Sequence, residues 1–380
     1  MPHLSVQTRA IVSRGPLNEA AWEIRDVALA PLGETELMVR ISSVGLCHTD
    51  LSVGNTPAGP ESPYPAVFGH EGAGIVLKTG SQVTVAKTGD RVLLSFSSCT
   101  SCHFCRGGHP AYCSAFPLLN LSFGKHPYTI SNPDTTEQSV RGGFFGQSSF
   151  AETAIVSESS VVNVSEWVDS EQELKLFAPL GCGFQTGAGS VTNVARATEE
   201  DAVVVLGLGG VGMAAVMAAV ANGVENIIAV DRVEEKLELA KSMGATCAIQ
   251  STGNDEDLVK AVHQVTDSLG ASVVIETTGH LMSLAIDLAR NQARIVLVGL
   301  PPPGTKLELD VQRFIVSGKQ IMGSMEGDVE PSVYIPQMIK WYRNGHFPVD
   351  RIVKFYQMED FMQAVSDIES GKTIKPILIW

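Results

Sequence analysis

Residues 203–231 read VVVLGLGGVGMAAVMAAVANGVENIIAVD. An apolar β-branched run at 203–205 leads into Gly207-Leu208-Gly209-Gly210-Val211-Gly212. Small, helix-compatible residues follow, and a second apolar run ends in Asp231. In this order of strand, glycine turn, helix, strand and acid, the glycines let a backbone approach a pyrophosphate. The helix N-terminus offers that phosphate unpaired N–H groups and a positive dipole end. Asp231 lies about 20 residues beyond the turn, where an acid meets ribose hydroxyls. The stretch therefore predicts a dinucleotide-binding unit. Two plainer readings compete. A buried strand–helix pair would use its glycines for packing alone. A membrane span would share the absence of charge over 202–224, but the glycine cluster and the continuing strand–helix alternation argue against it.

Downstream the rhythm is regular. Helices are expected over 234–243, 255–268 and 280–291, alternating with strands over 246–249, 272–276, 294–298 and 320–323. With the two strands of the opening stretch this makes six, joined by crossover helices. The expected fold class is α/β, with a doubly wound six-stranded parallel sheet whose ligand sits outside the carboxyl ends of the strands. Upstream, from residue 7 to about residue 168, that rhythm is missing and a mainly β region is expected. Its strand candidates are 9–12, 36–42, 73–78, 91–96 and 151–156. Residues 118–147, rich in Gly, Pro, Ser, Asn and Thr, read as long loops, and 184–194 as a helix. After residue 327 come a helix over 331–344 and an apolar terminal strand. The expected domains are a mainly β domain over 1–183, completed by 327–380, and a dinucleotide domain over 184–326, with a cleft between them.

A chain of 380 residues has room for two domains with a large core. Its net charge of −14 argues against a nucleic-acid partner. The opening MPHLSVQTRAIVSRG has neither the basic nor the long apolar region of a secretory signal, and no lipid-anchor motif occurs. A cytoplasmic chain that does not engage a membrane is expected. In that compartment clustered thiols more often hold metal than form disulfides.

Cys99-x2-Cys102-x2-Cys105-x7-Cys113 places four thiols on a short, loop-rich segment. Four thiolates suit tetrahedral zinc and leave no open position, which points to a structural ion. The iron–sulfur alternative normally continues x3-Cys-Pro, and here the interval is longer. Of the other cysteines, Cys247 lies in an apolar strand pattern and reads as core. Cys47 falls in Val-Gly-Leu-Cys-His-Thr-Asp and Cys182 in Pro-Leu-Gly-Cys-Gly-Phe-Gln-Thr, with Phe-Gly-His70-Glu-Gly between them. Two cysteines and a histidine with one open position form a catalytic zinc set, but spacing alone does not bring these three together.

Cys-His-Thr-Asp, Gly-His-Glu-Gly-Ala-Gly, the four-cysteine lobe, Gly-Cys-Gly-Phe-x-Thr and Gly-Leu-Gly-Gly-Val-Gly occur here in the order found in the zinc-dependent medium-chain alcohol dehydrogenases. The chain resembles that family over nearly its whole length. The resemblance implies a GroES-like catalytic domain beside a Rossmann domain, two zinc ions per chain and NAD. It implies hydride transfer between an alcohol or aldehyde and the cofactor. Cys47, His70 and Cys182 would hold the catalytic zinc, with Asp50 orienting His70 and Glu71 behind the metal. Thr49 would pass the substrate proton. The family's relay histidine is replaced by Ser52, which leaves Ser52, water or His48 to complete the exit.

The same resemblance places His48 and Lys375 at the cofactor pyrophosphate. It places Thr186 and Lys236 at the cofactor too, Lys236 by the ribose, although a solvated face is the plain alternative for either lysine. Asp231 would repel a 2′-phosphate and so favours NAD; the adjacent Arg232 weakens that inference. Leu94-Ser95-Phe96 resembles the aryl- and benzyl-alcohol branch, where a small residue at Ser95 would leave room for a ring, unless Phe96 is simply core. A bulky or aromatic primary alcohol is the expected substrate and a homodimer or homotetramer the expected assembly. S-(hydroxymethyl)glutathione oxidation and a non-catalytic NAD- or zinc-binding role are the alternatives.

Overall fold

In the computed structural model, which describes residues 6–19, 22–60, 62–130 and 138–380, the chain divides into two compact units. The first comprises the described residues through Cys182, with Glu330–Pro336 and Ile352–Trp380; the second comprises Gly183–Val329 and Gln337–Arg351.

The second unit is built on the opening stretch. Its strands are β1 (Ala202–Leu206), β2 (Asn226–Asp231), β3 (Cys247–Gln250), β4 (Ala271–Glu276), β5 (Ala289–Leu297) and β6 (Gln320–Gly323). They form one parallel sheet in the order β3-β2-β1-β4-β5-β6. The order reverses between β1 and β4, the place where a doubly wound sheet opens a ligand crevice. Val203, Val204, Val205 and Leu206 have no exposed surface, which explains a continuous rather than alternating apolar run, because parallel strands are covered on both faces. Helix Gly210–Ala221 is nearly all small or apolar and is buried along most of its length.

The first unit holds two β structures. Gln7–Ser13, Trp22–Leu29, Lys125–Ile130, Gln138–Gly142 and Ala66–Val67 close into a barrel. The second runs Val161–Asn163, Arg91–Leu94, Gly72–Thr79, Glu36–Gly45, Lys375–Ile379, Val353–Gln357, with Thr153–Ser157 also paired to Glu36–Gly45. The C-terminal strand pairs antiparallel with Glu36–Gly45 and so brings the chain end beside Cys47. Phe68 anchors the core between them, its ring 4.6 Å from Trp22, 4.8 Å from Phe123 and 5.2 Å from Phe144.

Several expectations change. The stretch read as loops contains helix Phe116–Asn120 and barrel strands Lys125–Ile130 and Gln138–Gly142. Strand Trp22–Leu29 and helix Val311–Ser317 were not expected. The helix expected to reach residue 291 ends at Leu288, because Ala289 already pairs with Ala271 before an irregularity resets the register at Val273 and Arg294. In the tail, Gln337–Arg351 packs with the second unit rather than the first.

Candidate active site

Cys47 stands at the start of helix His48–Gly54, and Asp50 on its first turn accepts the Cys47 N–H at 3.1 Å. An acid at this position satisfies a donor that the helix leaves open. The other Asp50 oxygen accepts the Gly69 N–H at 3.2 Å and lies 3.0 Å from His70 Nδ1. Asp50 and His70 are both fully enclosed, 1% and 0% exposed. With Nδ1 committed to Asp50, His70 presents Nε2, which is buried and has no hydrogen-bond partner among the described residues. Potential ligand atoms of Cys47, His70, Glu71 and Cys182 lie within 4.8 Å of one another.

The electrostatics favour a thiolate here. The Cys47 thiol is held well below its ordinary value by a hydrogen bond from Cys182, with His70 and the Lys375 charge adding to it against the effect of burial. A buried nitrogen lacking a partner beside an acidified thiol and a second cysteine is a donor set that fits zinc. Glu71 closes the back of the cluster. Lys375 Nζ lies 2.7 Å from its Oε1 and 2.6 Å from its Oε2, and donates to the Leu46 carbonyl at 3.1 Å. Burial pushes the Glu71 carboxyl up to about 7 against the pull of Lys375. Lys375, expected at the pyrophosphate, is thus buried against Glu71, because its strand runs into the core beside Glu36–Gly45.

The four-cysteine lobe has the dimensions of a tetrahedral site. Zinc–sulfur bonds of about 2.3 Å imply sulfur–sulfur edges of about 3.8 Å. Cys99 and Cys105 are 3.9 Å apart, Cys102 and Cys105 3.5 Å, and all four sulfurs fall within 4.8 Å. Backbone N–H groups of Cys102 and Ala115 point at the sulfurs of Cys99 and Cys113, at 3.3 and 3.4 Å. Backbone donors from Cys105 and Ser114 draw the Cys102 thiol down to about 5, while burial and neighbouring thiols push Cys105 up to about 12. Crowded thiols with N–H donors are stabilised as thiolates when a cation sits among them.

At the end of β1, Gly207 has φ +87, a conformation that favours glycine. A Cβ on Gly212 would strike the Gly207 carbonyl oxygen, so only glycine lets the helix start directly on the turn. The cap residue, Gly209, has no side chain to satisfy the first amides of helix Gly210–Ala221, which leaves them for a phosphate. Leu208 and Gly210 to Gly212 complete the turn, and Thr277 Oγ1 ties β4 to it by donating to the Leu206 and Gly207 carbonyls at 2.8 and 3.0 Å. Asp231 accepts the N–H groups of Leu208 at 2.7 Å and Val233 at 3.0 Å. Arg232 is exposed and Lys236 half-buried nearby. Thr186 Oγ1 lies 3.5 Å from Glu326 Oε2.

The comparisons with known proteins agree with both halves. Residues 33–166 match the alcohol dehydrogenase GroES-like domain and residues 210–344 the zinc-binding dehydrogenase model. The geraniol dehydrogenase of Castellaniella defragrans is 35% identical over 92% of this chain and 92% of its own. The chain belongs to the zinc-dependent medium-chain alcohol dehydrogenases. Among solved structures, a zinc-binding-domain alcohol dehydrogenase protein from Burkholderia ambifaria is 39% identical, covers 99% of each chain and has a TM-score of 0.89. The benzyl alcohol dehydrogenase of Acinetobacter calcoaceticus is 38% identical, covers 98% of this chain and 99% of its own, and has a TM-score of 0.87. The dehydrogenase uses zinc and NAD, and a small-molecule alcohol is its substrate. Among the described residues no helix is long and apolar enough to cross a membrane.

Within this dehydrogenase the structure also exposes residues that sequence reasoning missed. Phe145 stacks on His70 with centroids 4.5 Å apart, and Phe144 meets the same ring edge-on at 5.3 Å. Gln147 lies fully buried behind them. All three sit in Gly-Gly-Phe-Phe-Gly-Gln, at the end of a stretch whose composition signalled only loop. Phe96 packs in the core against Phe116, ring centroids 5.8 Å apart, so its aromatic character belongs to packing.

Proposed function

We propose that this dehydrogenase oxidises bulky primary alcohols with unsaturation next to the carbinol carbon, and reduces the matching aldehydes, with NAD in preference to NADP. The observation that carries the reading is the buried Cys47–His70–Cys182 cluster, with His70 Nε2 left without a partner. Bound there, zinc would lower the pKa of an alcohol, and NAD bound at the glycine turn would take the hydride. Cys47, His70 and Cys182 hold the metal; Asp50 fixes the His70 tautomer through Nδ1. Thr49, half-buried and beside Cys47 with its Oγ1 3.8 Å from Cys47 Sγ, takes the substrate proton. Ser52 and His48, both exposed on the same short helix, pass it to water.

The amides of Gly209 to Gly212 would hold the phosphates, with His48 and Thr186 as further contacts, and Arg232 and Lys236 would lie on the ribose side. Asp231 takes the ribose hydroxyls; its charge disfavours a 2′-phosphate. The substrate class is supported by two named relatives, a geraniol and a benzyl alcohol dehydrogenase. The small Ser95 is in keeping with space for a ring. The working form is a homo-oligomer. It is supported by the exposed apolar face of helix Val311–Ser317, where Val311, Ile315 and Val316 are 66, 72 and 79% exposed, next to the edge strand β6.

A panel of benzylic, allylic and short aliphatic alcohols with NAD and NADP, read by reduced-cofactor absorbance, tests the reading. Benzylic or allylic alcohols with NAD should give the highest kcat/KM. A preference for ethanol, or activity that requires glutathione, would contradict it.

A further inference from the structure

Asp50 connects Cys47 to His70 through three contacts at its two oxygens. A separate polar connection joins His70 to Cys182, and nothing in the zinc-binding motifs signalled it. Gln147, with no exposed surface, donates from Nε2 to the carbonyl of His70 at 2.8 Å and to that of Ser95 at 3.0 Å. Its Oε1 accepts the Gly72 N–H at 3.1 Å. The carboxamide therefore uses both donors and its acceptor on backbone. Ser95, 1% exposed, turns its hydroxyl to the Gly181 carbonyl at 2.6 Å. Gly181 immediately precedes Cys182. The path runs from the His70 carbonyl through Gln147 and Ser95 to the peptide that carries Cys182.

Close backbone packing keeps this path short. A Cβ on Gly181 would strike the Leu94 carbonyl oxygen. One on Gly72 would lie 2.8 Å from Leu94 Cδ1, 2.8 Å from Ser149 Cβ and 3.1 Å from Gln147 Oε1. The loop that presents Gln147 is itself tied to the segment before His70. Ser149 and Phe150 donate their N–H groups to the Gly69 and Phe68 carbonyls at 2.9 Å each, and Ser148 Oγ donates to Val67 O at 2.7 Å. A buried carboxamide spanning two carbonyls cannot shift without breaking a hydrogen bond to at least one of them, which is costly where water is excluded.

We infer that Gln147 and Ser95 are positioning residues that set the separation of His70 from Cys182, as Asp50 sets that of Cys47 from His70. The inference rests on the reading of Cys47, His70 and Cys182 as one ligand set. It gives Ser95 a second role beyond its small size, since its hydroxyl is spent on Gly181.

Release of zinc from the loaded holoenzyme to a chromophoric chelator tests this, because the two sites should empty in separate phases. Cys47→Ser should delete one phase and so assign it; a variant that keeps both phases would refute the ligand set itself. In Ser95→Ala and Gln147→Met, the assigned phase should quicken by roughly 10–100-fold, the effect expected when a ligand's supporting hydrogen bonds are lost. The four-cysteine phase should keep its wild-type rate, which a general loosening of the fold would not allow. Ser95→Ala removes a single oxygen and decides the matter if Gln147→Met does not fold. Wild-type release in Ser95→Ala, or equal acceleration of both phases, would overturn the inference.

Discussion

Asp50 shows how much of the site rests on single side chains. Two oxygens serve the Cys47 N–H, the Gly69 N–H and His70 Nδ1 within a fully buried space. Asp50→Asn replaces one acceptor oxygen by an amide donor, so at least one of these contacts is lost. Steady-state kinetics should show kcat/KM lower by roughly 10–100-fold, with the four-cysteine ion retained. Asp231 acts in the other unit. Its carboxylate holds the Leu208 and Val233 amides, and in the proposed cofactor site its charge would oppose a 2′-phosphate. Asp231→Asn should lower kcat/KM for NAD by roughly 10-fold or more, as expected for loss of a hydrogen bond to a charged group, and should raise the NADP-to-NAD ratio. A ratio that stays constant would remove Asp231 from cofactor choice. At this scale the motifs pointed to Cys47, His70 and Asp50, which the structure brings together. Gln147 was not legible, because a glutamine clamped to three backbone groups and one in an open loop look alike in sequence. The partner of Lys375 was also hidden, since Glu71 lies far from it along the chain and meets it only through strand pairing.

Among the elements, segment Ala66–Val67 to His70 depends on Phe68 packing among three aromatic rings. Phe68→Ala should cost about 3–5 kcal/mol in denaturant unfolding. In the parallel sheet, Asp201 links the start of β1 to β4 and β5: it accepts Ser272 Oγ at 2.7 Å and pairs with Arg294 at 2.5 Å. Burial works against its charge, but Ser272, the Thr198 N–H and Arg294 outweigh it and hold the carboxyl below the usual carboxylate range. A lowered folded-state pKa stabilises the protein above the unfolded value near 3.9, and that stability is lost as pH falls through the folded value. Asp201→Asn should therefore have a lower unfolding midpoint than wild type near neutral pH, and the gap should close in acid. A gap that is independent of pH would contradict this. The parallel strands were legible because burial on both faces writes them as continuous apolar runs. Trp22–Leu29 was not, because its burial pattern, with four half-buried or exposed positions followed by three buried ones, departs from simple alternation. Helix Val311–Ser317 buries none of its residues, so no core-facing stripe announces it.

For the whole molecule, the two-part construction was legible from the contrast between irregular β signals and regular strand–helix alternation. Family resemblance rested on several motifs in fixed order rather than on any one of them. The tail was read only in part, because nothing in the composition of 327–380 marks Gln337–Arg351 as belonging to the second unit. Assembly is testable at this scale. Ile315→Glu places a charge on the exposed apolar face of Val311–Ser317, and light scattering should then report a smaller species than wild type; an unchanged oligomer would exclude that face as the contact.

The most direct test of the central claim is zinc content measured together with NADH formation in Cys47→Ser. The wild type should carry about two zinc ions per chain and form NADH from a benzylic or allylic alcohol. The variant should keep the four-cysteine ion, lose the other and form no NADH. A variant that retains both ions, or turns over at the wild-type rate, would contradict the assignment of Cys47, His70 and Cys182 as the catalytic centre.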